Sequence, residues 1–112
     1  STKDGKRAIK VYETMRKSGE DLFMIYHMII RQVRNLIGIK SLSARGFNDS
    51  FIQKSLGISP FELRKVKGFA RNFSLEELFS LHDTLFDMEV RQKSGAFDMD
   101  LELKILMGKI IK

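Results

Sequence analysis

Ser80, His82 and Asp83 are the side-chain types of a hydrolytic triad, in which a hydroxyl attacks, an imidazole carries its proton and a carboxylate orients the imidazole. At i, i+2 and i+3 of one predicted helix they cannot form that relay, because residues two apart do not face each other. Asp83 and Asp87, four residues apart, share a helix face and offer oxygens to a divalent cation. Arg91 continues that face and can pair with Asp87, which makes it a solvated, salt-bridged surface. Asp98 and Asp100 resemble the opening of a calcium loop whose glycine and distal glutamate are missing, and helix capping accounts for them. His27 lies in an apolar stretch without a second histidine or acid four residues on, so it reads as a packed side chain rather than a ligand. None of the 8 glycines stands in the arrangement that cradles a phosphate ahead of lysine and a hydroxyl residue. No catalytic, metal or cofactor site is expected.

The remaining chemistry is positive charge. Lys and Arg number 20 against 14 Asp and Glu, a net charge of +6 that favours polyanions or acidic protein surfaces as neighbours. Phe51 to Phe73 has the pattern of a helix-turn-helix: a short helix, a turn at Gly57 and a capped second helix. On that second helix Leu63, Val66, Phe69, Ala70 and Phe73 form the expected buried arc, and Arg64, Lys65, Lys67 and Arg71 take most of the rest. Arg64, Lys67 and Arg71 are the expected phosphate contacts. The face lacks Asn or Gln near its start to read base edges, which counts against sequence-specific DNA recognition. A helix-turn-helix nucleic-acid-binding protein is the alternative function.

These residues need a scaffold, and the apolar spacing predicts six helices with no half-buried strand. A chain of 112 residues can bury one core without staples. The first helix runs from about Lys3 to Lys17, with Ala8, Val11, Tyr12 and Met15 on one face, and Ser18-Gly19 ends it. The second, about Glu20 to Lys40, carries a stripe of Leu22, Ile25, Tyr26, Ile29, Val33 and Leu36, with His27, Arg31, Arg34, Asn35 and Gly38 opposite. Phe23, Met24, Met28 and Ile30 widen its apolar arc beyond what one-sided packing needs, which points to several neighbours or another subunit.

A polar loop around Ser43 to Gly46 leads to a short helix over Asn48 to Leu56, capped by Asn48 or Asp49. Gly57 permits a left-handed turn, and Ser59-Pro60 supplies the cap and first position of a fourth helix to about Asn72. Ser74 and Glu77 form a capping box for a fifth helix reaching Lys93. Gly95 ends it, and Asp98 or Asp100 caps a sixth, in which Leu103, Leu106, Met107, Ile110 and Ile111 share a face. No internal repeat or linker interrupts the chain, so residues 1–112 are expected to be one all-helical domain. The apolar segment Leu22 to Ile30 falls short of the ~20 residues that span a bilayer, and the polar N-terminus is no secretory signal. The absence of cysteine fits a reducing cytoplasm. Without an initiator methionine, the chain reads as a piece of a longer protein.

Several motifs occur in a recognisable order: Leu56-Gly57-Ile58-Ser59-Pro60-Phe61, Ala70-Arg71-Asn72-Phe73-Ser74 with Glu77-Leu78, Lys93-Ser94-Gly95, and Leu101-Glu102-Leu103. Together they resemble the C-terminal region of bacterial DNA polymerase III delta subunits, from the second helix to the end. The resemblance implies a compact orthogonal bundle of the clamp-loader collar type, a non-ATPase piece of the polymerase holoenzyme in the bacterial cytoplasm. It implies assembly with gamma/tau and delta-prime subunits, while contact with the sliding clamp belongs to an N-terminal part outside this sequence. The surface for those partners is expected at the outer edges of the second and last helices, around Phe23, Met24, Ile105 and Met107.

Overall fold

A computed structural model describes Lys6, Ile9, Lys10, Glu13, Thr14 and residues 21–111. Those first five residues are helical, but the helix expected over residues 3–17 otherwise lies outside the described residues, as do its Ser18-Gly19 stop and the side chain of Ile111. Five helices are bounded among the described residues: α1 (Leu22–Ala44), α2 (Asp49–Leu56), α3 (Pro60–Ala70), α4 (Leu75–Lys93) and α5 (Met99–Ile111). No strand is found among them. The contacts divide the chain into two compact units: Ile30–Asp83, and the described residues up to Ile29 together with those from Thr84 onward.

In the unit Ile30–Asp83, Leu36, Ile39, Ile52, Ile58, Leu63, Val66, Ala70 and Leu78 form the core, rimmed by Ile37, Leu42, Phe47, Leu56, Phe69 and Phe73. Each fully buried aliphatic side chain among them contributes about 1.5–3 kcal/mol relative to exposure. The turns follow local chemistry. Asn48 rather than Asp49 caps α2, its Oδ1 accepting from Phe51 N–H at 2.9 Å. Gly57 takes φ 67°, and Ile58 N–H returns to the Gln53 carbonyl at 3.1 Å. Ser59 Oγ accepts from Glu62 N–H at 3.0 Å with Pro60 opening α3. The Ser74–Glu77 capping box is closed in both directions, each bond at 3.0 Å.

Two expectations need correction here. Helix α1 continues to Ala44 instead of stopping near Lys40. Leu42 packs on the core, and a Schellman motif closes the end: Phe47 N–H reaches Leu42 O at 3.1 Å and Gly46 N–H reaches Ser43 O at 3.0 Å, with Gly46 at φ 88°. Burial of Leu42 outweighs the weak helix propensity of its serine neighbours. Asn35 and Gly38, expected on the solvent side of α1, are respectively buried and half-buried. The reason is a second neighbour: a Cβ at Gly38 would lie 2.7 Å from Cδ2 of Leu56, so α2 covers this side of α1.

In the other unit, Ile25 and Tyr26 of α1, Leu85 and Met88 of α4, and Met99, Leu103, Leu106 and Met107 near and within α5 are buried. Asp21 starts α1, its Oδ1 accepting from Phe23 N–H at 2.8 Å. Tyr26 donates its buried hydroxyl to Leu85 O at 2.7 Å, tying α1 to α4. Gly95 at φ 88° turns the chain after α4, and Asp98, not Asp100, caps α5 through Leu101 N–H at 3.3 Å. Asp100 instead pairs with Lys104 at 3.1 Å.

Candidate interaction surfaces

The residues of the supposed chemistry do not assemble. Ser80, His82 and Asp83 project from α4, with His82 half-buried and the other two exposed. Arg91 pairs with Glu102 of α5 and not with Asp87, because the two helices pack side by side and bring Glu102 within reach. That pair crosses a shallow cleft of about 240 Å³, which Asp87 and Lys109 also border above Met88 and Leu106. Among the described residues, no three His, Asp or Glu side chains gather as a metal site requires. His27 is exposed rather than packed inside, its ring tilted 59° against that of Tyr26 at 5.3 Å.

Apolar surface is more informative. On α5, Leu101, Lys104, Ile105 and Gly108 follow one another at i, i+3, i+4 and i+7, the spacing of one helix face. Leu101 is 54% and Ile105 50% exposed, and a Cβ at Gly108 would meet nothing within 4 Å. Met107, expected on this edge, is only 7% exposed. It follows Leu103 by one turn on the inward side, so it belongs to the core and contributes little to any partner surface. Phe23, Met24 and Met28 stand half-exposed on α1, and Phe86 and Val90 on α4. The last two were not singled out from sequence. The signal was available, since neither falls on the Leu78, Leu85 and Met88 stripe.

In the unit Ile30–Asp83 the basic helix α3 presents a second surface. Arg64, Lys65 and Arg71 are exposed. Lys67 is not free for a phosphate in the way the sequence suggested, because its Nζ lies 2.7 Å from Asp49 Oδ1. Glu62, the acid of α3, faces Arg31 at 3.5 Å. The surroundings of this region were not legible in the sequence. Lys40 of α1 donates to Ala70 O at 2.8 Å and thereby caps the end of α3, which stops two residues earlier than expected. Phe47 and Phe51 stack at 4.4 Å with Arg45 5.2 Å over the Phe47 ring. Phe61 is 68% exposed.

The family description of the DNA polymerase III delta subunit, C-terminal domain, matches residues 1–110. The chain belongs to that family. A curated relative, DNA polymerase III subunit delta of Bacillus subtilis (strain 168), is 26% identical over 105 residues, which is 94% of this chain and 30% of the relative. Among solved structures, the Bacillus subtilis DNA clamp loader delta protein superposes with a TM-score of 0.86 at 25% identity, covering 96% of this chain and 32% of that one. The all-helical fold is thus that of a clamp-loader delta C-terminal domain, and the chain spans about 30% of the length of the relative it matches. No helix of the described residues is long and apolar enough to cross a membrane.

Proposed function

We propose that this chain is the collar module of a clamp-loader delta subunit, which assembles with gamma/tau and delta-prime subunits in the bacterial cytoplasm and itself catalyses nothing. The whole of residues 1–112 acts as one domain in that role, and opening of the sliding clamp is left to the rest of the full-length protein. What carries this is the outer face of α5, where two half-exposed aliphatic side chains are followed on the same side by a glycine that no packing among the described residues explains. Glycine in a helix interior costs about 1 kcal/mol relative to alanine, and the usual return is close approach of another helix. Phe23, Met24 and Met28 add apolar surface on α1. Stable hetero-assemblies use such apolar centres with charged rims.

The test mixes the chain with purified gamma/tau and delta-prime C-terminal fragments, without nucleotide, and measures mass by light scattering. A hetero-complex is expected, and Leu101→Asp with Ile105→Asp should abolish it while helicity is retained. A strictly monomeric chain beside correctly folded partners would overturn the assignment. The helix-turn-helix alternative keeps its local geometry in α2 and α3, but the exposed start of α3 carries Phe61, Arg64 and Lys65 and no amide side chain to read a base pair.

A further inference from the structure

We infer that the outer face of α3 is a binding site for single-stranded DNA, with the Phe61 ring as a stacking platform and Arg64, Lys65 and Arg71 as phosphate contacts. Phe61, Arg64, Lys65 and Gly68 lie at i, i+3, i+4 and i+7, and Arg71 extends the same face one turn on, giving about 15 Å of continuous surface at helical rise. Among the described residues Phe61 is the most exposed large apolar side chain at 68%, and no contact among them accounts for an aromatic ring there.

Charge decides what such a ring meets. Arg64, Lys65 and Arg71 have no ion-pair partner among the described residues, whereas the nearby acids are already engaged, Glu62 by Arg31 and Asp49 by Lys67. The face therefore keeps three uncompensated positive charges around an aromatic ring. An apolar protein helix would gain little from them, but a nucleic-acid strand matches both parts, bases on the ring and phosphates on the cations. Gly68 supplies the third observation. A Cβ there would meet nothing within 4 Å, unlike Gly38, which Leu56 crowds, so its absence serves no internal packing and leaves the helix backbone open to close approach. A duplex buries its bases between neighbours and offers the ring a face only at its two ends, whereas every base of a single strand is available to stack. Membership of a DNA polymerase III family favours DNA over RNA.

The experiment measures anisotropy of labelled (dT)20, (rU)20 and a blunt 20-base-pair duplex with the 112-residue chain, from low to physiological salt. The expected order is (dT)20 tightest. Phe61→Ala should weaken (dT)20 binding roughly tenfold, as loss of one stacked base does. Neutralising Arg64, Lys65 and Arg71 together should flatten the salt slope by about 2, the value for three single-strand phosphate contacts. Gly68→Leu should raise the melting temperature yet weaken binding several-fold, a combination that a purely structural role cannot produce. Lys54→Ala with Lys93→Ala, the charge control, should leave affinity nearly unchanged. Equal or tighter binding of duplex or (rU)20, no loss with Phe61→Ala, or equal losses in the control would overturn the site. Because the α3 and α5 faces share no residue, the binding assay and the assembly assay are read independently.

Discussion

At the scale of single residues, the side chain least at ease is Asn35. It is 8% exposed, and its Nδ2 has no hydrogen-bond partner. A buried polar group without a partner costs about 1–3 kcal/mol, and replacing it by an apolar group of similar shape removes that cost. Asn35→Leu is therefore expected to raise stability by about 1 kcal/mol, read as a higher urea midpoint at unchanged slope. A lower midpoint would mean that the amide is satisfied. Val66, 3% exposed in the same unit, gives the opposite case. Val66→Asp places an unpaired charge in the core and should destabilise by more than about 3 kcal/mol, a large share of the roughly 5–15 kcal/mol of an ordinary domain, read as a sharply lower melting temperature.

At the scale of elements, the helices are delimited by side chains that satisfy their free ends. The capping box at α4 has both bonds formed, so Ser74→Ala and Glu77→Ala should each cost about 1 kcal/mol, and the double variant less than their sum. Strict additivity in a thermal or urea double-mutant cycle would show that the two bonds act separately. The end of α3 is held differently, by Lys40 from another helix. Lys40→Met keeps the aliphatic stem and removes the donor, and a loss of about 1–2 kcal/mol is expected by the same measurement. No change would show that water serves the Ala70 carbonyl equally well.

At the scale of the whole molecule, α1 and α4 each run through both compact units, so melting either helix withdraws residues from both. One cooperative thermal transition is expected, with helix signal and buried Tyr26 fluorescence lost together. Two separated transitions would assign each unit its own stability and remove the case for one domain. The proposed surfaces also divide between the units, apolar on α5 in one and basic on α3 in the other. A clamp-loader piece that both assembles and holds a strand would use them separately.

The starts of the helices from α2 onward are legible in the sequence, because caps, left-handed glycines and one capping box are local chemistry carried by Asn48, Gly57, Ser59, Pro60, Ser74, Glu77 and Gly95. It also determined the family, through the order of those same signals. Periodicity placed most of the core correctly for the same reason, since one helix face can be read without knowing its neighbour. Whatever depends on a second element comes from packing that a helix's own sequence does not record. Asn35 and Gly38 lie inside because α2 covers a side of α1 that looks polar in isolation. Arg91 chooses Glu102 over Asp87, Lys67 is taken by Asp49, and Lys40 caps α3, each through a partner distant in sequence. Met107 turns inward while Phe61 is left in solvent, because burial is set by which helix arrives on a given face, and helical spacing records the face without naming the neighbour.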